Sequence, residues 1–307
     1  MGTDIRRKTP LDRDPTPGDV TDYSPADADR LAADVLRVSS NGSFVSRVLR
    51  VITRDGRSKH FEMITGQDGL TFGVTDFAAG SVASFFRAAA SAYPDDFTAA
   101  FGARGATLLD AAWVARENGG RHEYDNRGLI RHEWVRTGLA EILAAEHFRG
   151  LQLSRFVDGK VTPAHRAFRD AGLTAEWTLA TMIGVANSFG ASGMRDGFLR
   201  RAVEKADAQH LTGTARERAI AEDIAARYIG RDVDAEPNAR KILAAIRDPS
   251  APIPSSDSGL GHRGRRMWEI LRAFPDRAKP VDALGVFALA RGEVWPQDAT
   301  TAVAVSS

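Results

Sequence analysis

Residues Leu173–Phe189 are apolar on nearly every side of a helical turn, and the longest apolar stretch in the chain, Trp177–Ala186, lies inside them. A helix with no polar face has to be wrapped by other elements, so this stretch commits the chain to an α-domain built around a central helix. It is also much shorter than the roughly 20 residues needed to cross a bilayer, so it is read as buried and not as a membrane span. Gly190 follows it directly and is the expected stop.

The segments on either side supply the wrapping helices. Ser24-Pro25 is an N-cap followed by proline at the first helical position, with Ala28, Leu31, Ala32, Val35 and Leu36 as a helical stripe that ends near Val38. Phe77, Val82, Phe85, Phe86 and Ala89 form a second stripe, preceded by Asp76 as its cap and stopped by Tyr93-Pro94. A helix is expected around Thr107–Arg116, ending at Gly119-Gly120. Residues 132–157 read as one long helix or two broken at Gly150, and Thr162-Pro163 opens another. Thr214-Ala-Arg-Glu217 has the form of a capping box for a helix to Ile229, and further helices are expected over 237–247 and 264–274.

β-forming residues concentrate in one region. Val48–Thr53 reads as a first strand, while His60–Thr65 and Leu70–Thr75 flank Gly66-Gln67-Asp68-Gly69, an Asp-Gly turn of hairpin type. The expectation is therefore a mainly α (α+β) chain with one small three-stranded antiparallel sheet. Its organisation is read as a loosely packed or disordered arm over 1–23, a main domain over 24–275 and a C-terminal extension over 276–307.

Composition excludes several classes of function. The 307 residues hold 41 basic and 40 acidic side chains, so no global field recruits nucleic acid or a polyanionic surface. There is no cysteine, hence no disulfide framework, no thiolate nucleophile and no cysteine-based zinc site. His60, His122, His132 and His147 lack metal-ligand spacing, and no phosphate loop or nucleophile elbow is present. Neither a metal nor a cofactor is expected. The start, Met1-Gly-Thr-Asp-Ile-Arg-Arg-Lys8, has no apolar stretch of signal-peptide type after it, which points to a cytoplasmic location or a specialised export route.

The run Ile64-Thr-Gly-Gln-Asp-Gly-Leu-Thr-Phe-Gly-Val-Thr-Asp-Phe77 resembles the substrate-cleft hairpin of the lysozyme-like superfamily, most closely that of the family 46 chitosanases. Leu31–Ser40 is similar to that family's first helix and its exit, and Asp170-Ala-Gly-Leu173 through Asn187-Ser-Phe-Gly190 is similar to its central helix. Weaker similarity runs on through Ile224-Ala-Ala-Arg227. The resemblance covers roughly residues 26–275 and implies a two-lobed helical fold with a cleft between the lobes, and hydrolysis of a β-1,4-linked amino-sugar polymer, either chitosan or peptidoglycan glycan. It implies a water-holding role for Thr71. The family's general-acid glutamate falls within the stretch matching Ser39–Ser43, where this sequence has none, and its second acid falls near Gly66, two residues before Asp68.

Glycoside hydrolysis needs one protonated carboxyl group beside the leaving oxygen and one ionised carboxylate for water or for attack. Glu62 and Asp68 are the candidates: strand alternation puts Glu62 on one face with His60 and Ile64, where burial would favour the acid form, and Asp68 sits in an open turn. Thr71, Asp76 and Arg227 are the candidate substrate-binding residues. The bland account of each is a salt-bridge partner, a turn former, a β-former, a helix cap and a solvated charge. Two functions follow, a glycoside hydrolase acting on a polysaccharide, or an inactive lysozyme-like protein that binds glycan or a protein partner. Nucleic acid and membrane are not expected partners.

Overall fold

The computed structural model describes residues 44–54, 60–65, 70–78, 80–111, 115–118, 121–124, 129–230, 237–248, 250–256 and 259–282. The expected arm over 1–23, the helix over 24–38 and most of the expected C-terminal extension lie outside these residues. What is described is mainly helical with short antiparallel strand pairs, in two compact units. One is drawn from Lys59–Leu153, the other from Leu36–Ser58 and Ser154–Trp295.

In the first unit β1 (Ile64–Thr65) pairs antiparallel with β2 (Thr71–Phe72), Ile64 opposite Phe72 and Thr65 opposite Thr71. The chain then turns so tightly that Phe72 and Phe77 exchange backbone hydrogen bonds of 3.1 and 2.8 Å. Gly73 makes this turn possible, with φ at +74° and a position where a Cβ would lie 2.4 Å from Gln152 Oε1. Helices α2 (Gly80–Ala92), α3 (Pro94–Phe101), α4 (Arg104–Ala111) and α5 (Glu133–Ala144) follow, and α6 (Glu146–Phe156) carries the chain out of this unit. The core is a cluster of rings. Phe72 lies 5.5 Å from Phe77 and 5.0 Å from Phe85, and Phe86 lies 5.8 Å from Phe101.

The second unit begins with α1 (Phe44–Arg54) and continues from the end of α6 through a π-helical turn, Val157–Val161, into α7 (Thr162–Asp170). Next come α8 (Glu176–Ser192), a second π-helical segment (Gly193–Leu199), α9 (Arg200–Ala208), α10 (Gly213–Ile229), α11 (Pro237–Arg247) and α12 (His262–Ala273). Residues Glu176–Ala186 of α8 are all buried, and α1, α7, α10 and α12 pack against it. This is the wrapped central helix that its apolar sequence demands. Its last turn breaks at Gly190, whose φ of 75° and ψ of 164° are not helical.

Several expectations are corrected. Val48–Thr53 is not a strand but the body of α1: Phe44, Val45, Val48, Leu49, Val51 and Ile52 are buried while Arg47 and Arg50 are half-exposed, a period of 3.6 that outweighs the β-branched composition. The three-stranded meander is therefore a two-stranded ladder. A separate ladder joins β3 (Ala115–Asn118) to β4 (Arg121–Tyr124), where the sequence suggested a helix through Arg116. The break in 132–157 falls at Ala145, which is extended at ψ 132°, and Gly150 lies within α6. Asp76 does not cap α2; it sits four residues ahead in a turn with φ of 55°, a left-handed conformation that aspartate tolerates better than most residues.

Candidate functional site

The segment leading into β1 is not a strand with one inward face. Met63 N donates to His60 O (3.2 Å), making a turn, and His60, Phe61, Glu62, Met63 and Ile64 are all buried. Alternation therefore does not decide the environment of Glu62, because the whole segment is enclosed. Burial lowers the His60 imidazole to about 4, so the ring is neutral near pH 7.

The Glu62 carboxylate meets the Arg149 guanidinium from α6, Nη2 to Oε1 at 3.3 Å, with the two side chains only 11% and 17% exposed. Arg149 is also placed over the Phe61 ring, 5.7 Å from its centroid. One turn further along α6, Gln152 is fully buried and holds both arms of the ribbon: Nε2 donates to Phe61 O (2.9 Å) and Oε1 accepts from Val74 N (3.0 Å). Sequence reasoning missed Arg149 and Gln152. The only signal was their spacing of three on a helical segment, which does not say what that face meets.

Thr71 is buried opposite Thr65, and its Oγ1 makes no hydrogen bond to a described residue. Asp76 is half-buried in the turn after β2. Asp68 and the rest of the Gly66–Gly69 turn lie outside the described residues, so the carboxyl separation that would distinguish inverting from retaining hydrolysis is not defined.

Arg227 belongs to the second unit. Its Nε donates to Asp223 Oδ2 one helical turn back, while Lys205 Nζ donates to the other carboxylate oxygen at 2.8 Å. Burial works against the Asp223 carboxylate, but these two hydrogen bonds outweigh it and hold the group below the usual carboxylate range. Next to it Tyr228 is buried, pushed up to about 12 by that burial, with its hydroxyl 2.9 Å from Ser188 Oγ. Ser188 also accepts from Arg266 Nη1 (2.7 Å), which donates to Gly184 O as well (3.0 Å). Arg266 closes the basic run His262-Arg-Gly-Arg-Arg266, yet it is 1% exposed, and burial lowers it to about 9. Its chemistry is structural, since it satisfies the C-terminal end of α8, where a cation also meets the negative end of the helix dipole.

Beside this network Phe189 is the one large hydrophobic residue exposed among the described residues, with Arg263 lying 4.9 Å over its ring. No group of three or more histidines, aspartates or glutamates able to hold a metal converges among the described residues. Nor is any described helix long and apolar enough to cross a membrane. In comparisons with known proteins, no family model, no curated protein and no solved structure matches this chain.

Proposed function

We propose that this chain is a lysozyme-like protein that engages a β-1,4-linked amino-sugar glycan without hydrolysing it. The observation that carries the non-hydrolytic half is the Glu62–Arg149 pair. A general acid has to reach a glycosidic oxygen, and the Glu62 side chain is enclosed on its own segment and turned towards a guanidinium instead. No glutamate stands in the Ser39–Ser43 stretch to replace it.

The glycan half rests on the resemblance. A short antiparallel ribbon that passes through a glycine turn into a phenylalanine-rich helix, followed by a wrapped central helix, is the order the resemblance implies. A chain with 41 basic and 40 acidic residues also suits an uncharged or anionic glycan better than the polycation chitosan, which makes peptidoglycan glycan the preferred ligand.

The test is to incubate the protein with chitosan oligomers and with peptidoglycan, and to measure reducing ends and retention on the insoluble polymer. Retention on peptidoglycan with no new reducing ends is the expected result, unchanged in Glu62→Gln. Release that collapses in Glu62→Gln restores the hydrolase reading; no retention on either polymer removes the glycan altogether and leaves at most a shared shape.

A further inference from the structure

The second unit contains a cavity of about 290 Å³ beside the start of α8, the first turns of α10 and the segment after α12. Trp177 forms part of its wall, and the charged side chains lining it are Glu217, Arg218, Asp276 and Arg277. The two carboxylates are already committed. Glu217 accepts from Ala175 N (2.7 Å) and Thr174 N (3.0 Å), and Asp276 Oδ1 accepts from Ala278 N (3.0 Å) and Lys279 N (3.1 Å).

The two guanidiniums are not. Among the described residues, Nε and Nη1 of Arg277 are buried with no hydrogen-bond partner, and neither Arg277 nor Arg218 forms an ion pair with a carboxylate. Burial, and then the charge of Arg218, weaken the hold of Arg277 on its proton, with Asp248 acting the other way. Asp248 is itself engaged by Ser250, through N at 2.9 Å and Oγ at 2.7 Å. Arg277 is partly withdrawn from water and Arg218 is exposed beside it, and neither guanidinium has a carboxylate bonded to it among the described residues.

We propose that this cavity is a binding site for a small ligand carrying an oxyanion, a carboxylate or a phosphate, held by Arg218 and Arg277 with its less polar body against Trp177. An oxyanion offers the planar guanidinium fork two acceptor atoms and removes the Arg–Arg repulsion in the same step. Thr214, on the cavity wall, adds a hydroxyl that can donate to it. A volume near the lower end of the roughly 300–1,000 Å³ usual for ligand pockets limits the occupant to metabolite size. The site stands independently of the glycan reading, since none of its residues belongs to the ribbon.

The experiment is titration calorimetry at low ionic strength with inorganic phosphate, phenyl phosphate and N-acetylmuramic acid. It compares the full chain with Arg218→Gln, Arg277→Gln and, as a control, Arg201→Gln on the exposed face of α9. Saturable binding of at least one probe, weakened roughly tenfold or more in each of the first two variants and unchanged in the third, is the expected result. Phenyl phosphate binding more tightly than N-acetylmuramic acid assigns a phosphate-bearing ligand, and the reverse order a carboxylate-bearing one. Arg218 is exposed, so its variant keeps the test intact if Arg277→Gln does not fold. Absence of saturable binding by all three probes, or equal weakening in Arg201→Gln, overturns the proposal.

Discussion

At the scale of single residues, what the protein does with a charged side chain depends on whether a partner reaches it, and sequence spacing alone does not reveal the partner. Glu62 was a candidate acid because it stood near a turn that also carries Asp68; in the fold it is one half of a nearly buried pair with Arg149. Replacing one member of such a pair leaves the other poorly compensated. We expect Glu62→Gln to lower the denaturant midpoint by an amount worth about 1–3 kcal/mol, with no loss of glycan retention. Arg149→Met, which takes the guanidinium away from the carboxylate, should cost more than Glu62→Gln in the same measurement. Arg227 illustrates the opposite limit. With its side chain 36% exposed and Asp223 still held by Lys205, Arg227→Ala should change stability by no more than about 1 kcal/mol.

At the scale of elements, close approach and helix ends decide more than propensity does. Helix α5 lies so near α3 that a Cβ on Gly138 would stand 2.7 Å from Ala100 O and 2.6 Å from the Phe101 ring. Backbone cannot yield as a flexible side chain can, so Gly138→Ala should destabilise by about 1–3 kcal/mol in equilibrium unfolding. Gln152 ties Phe61 O and Val74 N together across the ribbon, and Gln152→Leu strands both in a dry site. A loss of about 1–3 kcal/mol per orphaned group is expected, together with faster amide exchange at Val74. Glu217 has the sequence position of a capping-box glutamate for α10, yet its carboxylate accepts from Thr174 and Ala175 at the start of α8. Helix α10 in fact opens at Gly213 behind Thr212, which places Glu217 in its second turn, and packing brings the carboxylate to the start of α8 instead. Glu217→Ala should therefore cost about 1 kcal/mol and protect the first turn of α8 less, not that of α10.

At the scale of the whole molecule, acid is the condition to which this fold is most exposed. His60 in the first unit and His165 in the second are both held below the ordinary imidazole range, chiefly by burial. A neutral buried histidine supports the fold above its unfolded value of 6.5, and that support is lost as the pH falls towards the folded value. For His60, about 4 when folded, the window runs from pH 6.5 down to 4 and the loss reaches about 3 kcal/mol at its lower end. Asp207 and Asp223 are depressed by hydrogen bonds from cationic side chains, with burial opposing at Asp223, so their contribution disappears below that range in the same direction. Unfolding measured at pH 7, 5.5 and 4.5 should show stability falling steadily. His60→Gln, which cannot titrate, should flatten the upper part of the fall; an unchanged slope in that variant would show that His60 is not a source of it.

The sequence by itself determined that this is a mainly helical chain and that one of its helices is wrapped by others, as α8 is within the second unit, since an element with no polar face has one kind of environment in water. It also determined the stripe of Val82, Phe85, Phe86 and Ala89 and the stop at Gly190, because these are local consequences of spacing and a missing Cβ; at Thr162-Pro163 the chain instead runs on from the π-helical turn with helical angles at Val161 and Thr162. Only the tertiary structure decided that Val48–Thr53 is helical, that Glu62 belongs to Arg149, and that Arg266 lies inside while Arg218 and Arg277 line a cavity with no carboxylate bonded to either among the described residues. Those outcomes depend on groups brought together from distant parts of the chain. Burial and Coulomb energy respond to distance in space, and the order of residues along the backbone does not contain it.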